Sequence, residues 1–435
     1  MIFEIPIKKE EGIDNAIQSK TQRDREIAFG KYIAMYNVTK DFLKEKGLLL
    51  YGGLAVNLSL PKEQRFYDIY ELPDYDFFSP QARKDAIELA DKYYTLGYKY
   101  VEVKPGIHFE TYKVYVDFMP VADITDVPDK LFKHLLEISL SEKSVVLQNN
   151  PSLDVNIAPL SFLRLAFHIE LSRPNGFIER WKKIYKRMVL FYHQYPVTFD
   201  NCAVKTILHK DPETRVTELT HIVTHYCKTH NLPIFGTEGI KIYLSKHLKK
   251  DIHGDMIFDS KMSRVEIVSE TFQQTALQIQ DMLSSMLDKD ETLVMKSHAA
   301  LNKSEFIPKH YIISLVKGGL SRHICTVYSS QACYSYKIVD GTSVLSIDAM
   351  LSLMYAYLFS QRDYYVIEKV KCMINILLNM QNEHLNSKKY IWKQFDLLCY
   401  GTQNTIEDVK RSRWLANKKF QVYRPGSSKA SQKNI

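Results

Sequence analysis

Cysteine is scarce in these 435 residues. There are six, Cys202, Cys227, Cys325, Cys333, Cys372 and Cys399. They are scattered, with no CxxC pair, which excludes a disulfide-stapled secreted scaffold and a cysteine-built zinc ribbon. Free thiols are expected. Long apolar runs are also missing. No stretch is long enough to span a bilayer, and Met1 to Glu10 is too charged for a secretory leader. The chain is expected inside a cell and off the membrane. No Walker loop, dinucleotide fingerprint or nucleophilic triad stands out. Low-complexity sequence is absent apart from the C-terminal end, where acid is missing. The whole chain carries 58 Lys and Arg against 50 Asp and Glu, a net charge of +8. From Lys410 onward there are eight basic residues and no acidic one. The body is therefore near neutral and the positive charge sits in a tail. Trp414, Phe420 and Tyr423 lie among those charges, a mixture that suits gripping phosphates and stacking on bases as well as it suits a solvated end.

The length is enough for two or three domains. Residues 14–47 read as one or two helices. Leu48–Tyr51 is a short apolar strand, and Gly52-Gly53 turns it into a short helix ended by Pro61. After a polar loop, Asp74–Phe78 reads as a strand. Pro80–Tyr94 follows as a helix with Ala82, Ala86, Leu89, Ala90 and Tyr93 on one side. Strands are expected at Tyr98–Lys104, Thr111–Val116 and Val121–Thr125, the last two joined by a tight connection at Asp117–Pro120. Another short strand starts at Leu153, then an amphipathic helix over Pro159–Leu171 and a basic helix over 177–194. Beyond about residue 205 the pattern reads as a new domain, mostly helical with interspersed strands. The class is α+β with a small mixed sheet and flanking helices.

The most informative residues are aspartates. In Pro73-Asp74-Tyr75-Asp76-Phe77-Phe78, alternation along a strand puts Asp74 and Asp76 on one face. The aromatic neighbours place that strand in a core, where adjacent carboxylates need a compensating cation. Mg2+ held by carboxylates and substrate phosphates is the usual solution. A third carboxylate on a neighbouring strand would let two ions be held, as suits in-line displacement at phosphorus. Asp123, inside Val121-Ala122-Asp123-Ile124-Thr125, and Asp117, at the preceding turn, are the two candidates. Gly52 and Gly53 would let backbone approach a triphosphate at a helix N-terminus.

Gly-Gly, a helix, Asp-x-Asp on a strand and a later hydrophobic-Asp-hydrophobic strand resemble the signature of the DNA polymerase beta-like nucleotidyltransferases. More narrowly, Tyr51–Asn57, Leu72–Ser79, Val121–Thr125 and Arg180-Trp181-Lys182-Lys183-Ile184-Tyr185-Lys186-Arg187 are similar to the poly(A) polymerase catalytic subunits of large cytoplasmic DNA viruses. The loop over residues 61–73 is longer than the superfamily usually has, which weakens Gly53 as a direct phosphate contact. The resemblance favours Asp123 over Asp117 as third carboxylate. It implies addition of AMP from ATP to RNA 3′ ends, with Asp74, Asp76 and Asp123 binding Mg2+ or Mn2+. Gly52, Gly53, Lys183 and Arg187 would bind nucleotide. It also implies a host-cytoplasmic or virus-factory location, packaging in the virion, and a homodimer or accessory subunit that holds RNA. A nucleotidyltransferase acting on a protein or small molecule, or a non-catalytic RNA-binding scaffold, are the alternatives.

Leu50–Leu58 is similar to Ile234–Ile242, and Tyr75–Ser79 to Val265–Ser269, each in the same order and followed by a helix. Arg264 stands where Asp74 does. The expected division is therefore a helical segment over 1–46, a catalytic domain over 47–195, a degenerate nucleotidyltransferase-like copy over 196–409 and a basic tail over 410–435. Chance likeness of strand-turn-helix patterns is the competing account. His221, His225, Cys227 and His230 have spacing that permits zinc, but no second Cys/His pair supports it, so they are read as ordinary helix residues.

Overall fold

The computed structural model describes residues 7–106, 110–197, 214–247, 264–301, 306–330, 332–386, 395–403, 405, 407–408, 411 and 422–426. The chain divides into two compact units, Met1–Pro159 with Arg413–Ile435, and Leu160–Ser412.

In the first unit, α1 (Ile7–Lys46) leads through β1 (Leu49–Leu50), α2 (Gly52–Ser59), β2 (Tyr75–Ser79) and α3 (Ala82–Thr95). Then come β3 (Val101–Pro105), β4 (Thr111–Val116), β5 (Met119–Asp126), α4 (Asp129–Asn149) and β6 (Asn156–Ile157). The strands form one mixed sheet in the order β3-β4-β5-β2-β1-β6. The apolar stripe of α3 is fully buried. Only the C-terminal part of α1 joins the core, through Met35, Tyr36, Phe42 and Leu43. There Thr39 Oγ1 lies 2.7 Å from the Tyr93 hydroxyl, and the Tyr36 hydroxyl donates to Pro120 O at 2.9 Å. A two-residue turn joins β4 to β5, with Asp117 and Phe118 at φ +47 and +67. That left-handed pair matches the twist of a tight hairpin. The 21-residue α4 has no counterpart in the sequence reading.

Part of the basic tail packs on this unit. Tyr423 makes a reciprocal backbone bridge with Val103, and Arg424 pairs with Glu102. Trp414, Phe420 and all of the tail's lysines lie outside the described residues.

The second unit runs α5 (Leu160–Leu171), α6 (Trp181–Gln194), α7 (Thr214–Thr229), β7 (Ile234–Phe235), α8 (Gly236–His247), β8 (Val265–Ser269) and α9 (Phe272–Ser284). It continues through β9 (Glu291–His298), β10 (His310–Lys317), β11 (Leu320–Ser329), β12 (Tyr334–Val339), β13 (Thr342–Leu345), α10 (Ile347–Tyr357), α11 (Ile367–Asn386) and β14 (Cys399–Tyr400). Eight strands form one sheet, β14-β12-β13-β7-β8-β11-β10-β9. Helix still outnumbers strand beyond residue 205, as the sequence reads, but the interspersed strands are joined in a single sheet. The three long strands β9 to β11 form an antiparallel meander whose ladders pair residues far from any simple apolar–polar alternation.

Two further differences have physical causes. The compact units meet in sequence at Pro159/Leu160, whereas the sequence reading kept 47–195 together. Inside the second unit α5 packs on α10, where His168 Nδ1 lies 2.8 Å from Asp348 Oδ1 in full burial. Cys333 and Cys399 are joined in a disulfide rather than free. The β12–β14 ladder brings together cysteines 66 residues apart, a proximity that spacing does not reveal. Cys227 and Cys325 are free and buried in the core.

Candidate active site

Asp76 and Asp123 are register partners on the parallel strands β2 and β5. Neighbouring residues in register point to the same face, so their carboxylates converge, and Asp74, two residues earlier, joins them. One carboxylate oxygen from each of Asp74, Asp76 and Asp123 lies within 4.8 Å of the others. Asp117 does not belong to this group; it sits at the tip of the β4–β5 turn.

The surroundings fix this face. The backbone N–H of Tyr51 donates to Asp76 O at 2.8 Å, tying the start of α2 to the aspartate strand. The Tyr51 ring stacks on Phe78 with centroids 3.9 Å apart, and its hydroxyl lies 2.8 Å from Thr125 Oγ1. Gly52 has φ +73, and a Cβ there would run into the Asp76 carboxylate. Glycine at this position is therefore what lets the helix start beside the acid. Asn57, buried in α2, accepts from the backbone N–H groups of Phe66 and Tyr67 at 2.9 and 3.0 Å. It pins the long loop that precedes Asp74.

The charge balance is incomplete. Lys113, opposite Asp123 on β4, pairs with Asp123 Oδ2. Asp123 Oδ1 is buried and has no hydrogen-bond partner. Burial raises the Asp123 carboxyl above its ordinary range; the Lys113 ammonium works against that rise and the charge of Asp74 adds to it. Burial opposes the charge on Lys113, yet the Asp123 carboxylate prevails and holds the lysine above its usual value. Three converging carboxylates, one of them with a buried oxygen that has no hydrogen-bond partner, are a donor set that fits a hard divalent cation.

Lys183, Arg187 and the histidines beside Cys227 lie in the second unit, as does Arg164 on α5. Lys183 is exposed and Arg187 is buried, one turn apart on α6. Ile184 is buried, while Trp181 and Tyr185 pack on the Phe395 ring at 5.5 and 5.6 Å. Arg164 is a buried structural residue whose guanidinium donates to Tyr195 O at 2.6 Å. His221 and His225 are exposed on α7 and His230 is exposed just past its end, while Cys227 points into the core. Sequence reasoning missed Lys113. Its only signal is its place on the strand before Val121–Thr125, which becomes meaningful once the register is known.

A mixed sheet that presents an Asp-x-Asp strand beside a third aspartate, with a Gly-Gly helix start at its edge, defines a nucleotidyltransferase fold. Residues 37–175 match the family model described as poly(A) polymerase catalytic subunit. The chain is 29% identical over 217 residues to the protein named "Putative poly(A) polymerase catalytic subunit" of Acanthamoeba polyphaga mimivirus, covering 48% of this chain and 34% of that one. It is 32% identical over 176 residues to the protein of the same name in African swine fever virus, isolate Pig/Kenya/KEN-50/1950, covering 40% and 35%. The chain thus spans about a third of the length of the curated relatives it matches. The fold is also that of the Megavirus polyadenylate synthase crystal structure, with a TM-score of 0.76 at 20% identity over 100% of this chain and 90% of that one.

Proposed function

We propose that the chain is a template-independent RNA 3′-adenylyltransferase, a poly(A) polymerase that adds AMP from ATP to messenger 3′ ends. The observation that carries this reading is the convergence of Asp74, Asp76 and Asp123 within the stretch that matches the family model. These three carboxylates would hold Mg2+ or Mn2+. When bound, such ions supply the positive charge that acidifies a hydroxyl and offsets charge on a triphosphate. The bond formed joins the RNA 3′-oxygen to the α-phosphorus of ATP, and the bond broken releases pyrophosphate. No covalent intermediate on the protein is required.

The chain's own residues have separate tasks. Gly52 brings the first turn of α2 against the aspartate strand, so its free N–H groups can receive phosphate oxygens. Lys113 holds one oxygen of Asp123 and leaves the other for the cation. Phe78 and Tyr51 wall the site with stacked rings, and burial of Asp123 keeps bulk water from competing for it. The assignment of Gly53, Lys183 and Arg187 to nucleotide rests on the family resemblance of their segments. So do a homodimer or accessory subunit and a place in the cytoplasm, virus factory or virion of an infecting virus.

The test supplies the pure protein with a labelled RNA primer and each nucleoside triphosphate in turn, with Mg2+ or Mn2+. Extension with ATP, lost in Asp74→Ala, Asp76→Ala and Asp123→Ala but largely kept in Asp117→Ala, is expected. Extension at the wild-type rate by Asp76→Ala rules the reading out, and nucleotide transfer only to a protein or small acceptor replaces it with another of the same fold.

A further inference from the structure

The second sheet repeats the first. The series β9-β10-β11-β8-β7-β13 follows the same connections as β3-β4-β5-β2-β1-β6, with every neighbouring pair in the same parallel or antiparallel sense. Gly236 has φ +65, and a Cβ on it would strike the Glu266 carboxylate, as one on Gly52 would strike Asp76. Ser79 and Ser269 each accept from the backbone N–H two residues on. Glu266 therefore stands in the place of Asp76. Arg264 stands in that of Asp74, and Thr326, the register partner of Glu266, in that of Asp123.

The substitutions reverse the sign of the site. Arg264 Nη2 lies 3.4 Å from Glu266 Oε1, so the buried carboxylate already has its cation. Around it stand Arg362, His298 and His310. Arg362 Nη1 donates to the Tyr364 hydroxyl at 2.6 Å, and its Nη2 donates to Ala299 O at 2.5 Å. Among the described residues no carboxylate pairs with it, the adjacent Asp363 included. A guanidinium has five N–H donors, so donors remain for an anion. Beside it the half-buried His298 ring stacks on His310 at 5.2 Å and 16°, and lies 4.9 Å from the Tyr364 ring. Lys296, exposed two residues earlier on the edge strand β9, shares that face. Burial, reinforced by the Arg362 charge, holds both histidines below the ordinary imidazole range, His310 at about 4. They are flat neutral rings at physiological pH, and the positive charge comes from arginine and lysine.

We propose that this cluster binds single-stranded RNA, with Arg362 on a backbone phosphate and the half-buried His298 and Tyr364 rings as a stacking surface for a base, backed from within by the buried His310 ring. An arginine fork beside partly exposed aromatic rings is the chemistry that single strands require. The proposal rests on the reading of the chain as an RNA-extending enzyme, since that supplies the strand to be held. It gives the second unit a task that needs no metal.

The experiment measures anisotropy of a fluorescein-labelled oligo(A) on the full chain in EDTA, so that no extension occurs. With a probe of about 15 nucleotides, Arg362→Gln is expected to bind roughly five- to tenfold more weakly and to lose about 0.7 from the salt slope. His298→Ala should weaken binding several-fold at an unchanged slope. Melting curves of each variant establish folding. If Arg362→Gln is unfolded, His298→Ala and Lys296→Gln decide, because both side chains reach solvent. Unchanged affinity in the folded variants overturns the proposal. Equal binding of an RNA duplex overturns the stacking surface. Oligoglutamate that binds as tightly and loses as much in both variants makes the ligand an acidic protein segment instead. Addition of one AMP at saturating primer separates the two readings. A wild type that adds nothing refutes the enzyme reading while leaving the binding result standing.

Discussion

Lys113 carries more of the site's electrostatics than its silence in the sequence suggests. It is the cation paired with Asp123, and it holds the acidic face together when no metal is bound. Lys113→Met removes a half-buried partner and leaves Asp123 facing Asp76 and Asp74. Without divalent ion the variant should lose about 1–2 kcal/mol, less than a fully buried pair because water reaches the lysine. Mg2+ or Mn2+ should then raise its melting temperature more than it raises that of the wild type. Equal shifts in both proteins mean that Lys113 and the ion do not share the carboxylate. His310 offers a second measurement at this scale. It is buried, one ring nitrogen lies 2.8 Å from Pro308 O, and its pKa falls to about 4. A depressed folded-state value means that below the ordinary imidazole range the unfolded chain binds a proton that the folded chain refuses. The stability contribution is complete above about pH 6.5 and declines as pH falls toward 4, a loss on the order of 2–3 kcal/mol. His310→Asn should flatten that part of the stability–pH curve, and an identical slope in both proteins refutes the assignment.

At the scale of elements, the join between β1 and α2 is the tightest constraint on the site. Gly52 adopts a left-handed φ, and a methyl group there meets the Asp76 carboxylate. Gly52→Ala should destabilise the fold by about 1–3 kcal/mol and displace Asp76, so that primer extension falls even at saturating metal. Full extension with normal melting means that the α2 start can move freely. This join was legible from sequence because strand, Gly-Gly, helix and Asp-x-Asp form one local pattern, and the α3 stripe was legible for the same reason. Long-range pairing was not. Neither the opposition of Lys113 to Asp123 nor the bridge of Tyr423 to Val103 leaves a periodic trace. The 40-residue α1 was legible only as one or two helices over 14–47 for another reason: its outer turns are exposed and lack a stripe to read. The β9–β11 meander escaped recognition because its polar and apolar residues do not alternate cleanly.

At the scale of the whole molecule, two sheets with one connectivity solve the same electrostatic problem differently. The first brings three carboxylates together, the proposed seat of a cation from solution; the second supplies Arg264 from the chain. Glu266 is fully buried, with Arg264 at 3.4 Å and the Tyr357 and Tyr328 hydroxyls donating to it at 3.4 and 3.5 Å. Removing the guanidinium strands a charge, whereas removing both charges leaves a neutral pocket. Arg264→Met should therefore cost roughly 3 kcal/mol, and Arg264→Met with Glu266→Gln should recover most of it. Divalent ions should stabilise the wild type and the Arg264→Met variant equally, because their site is the aspartate face. Asp76→Ala should abolish that stabilisation while keeping the ligand-free melting temperature close to normal. Calorimetric melts of the three variants with and without Mg2+ check all of this. A metal-dependent shift that survives Asp76→Ala but disappears with Arg264→Met would place the cation in the wrong unit and undo the assignment of both sheets.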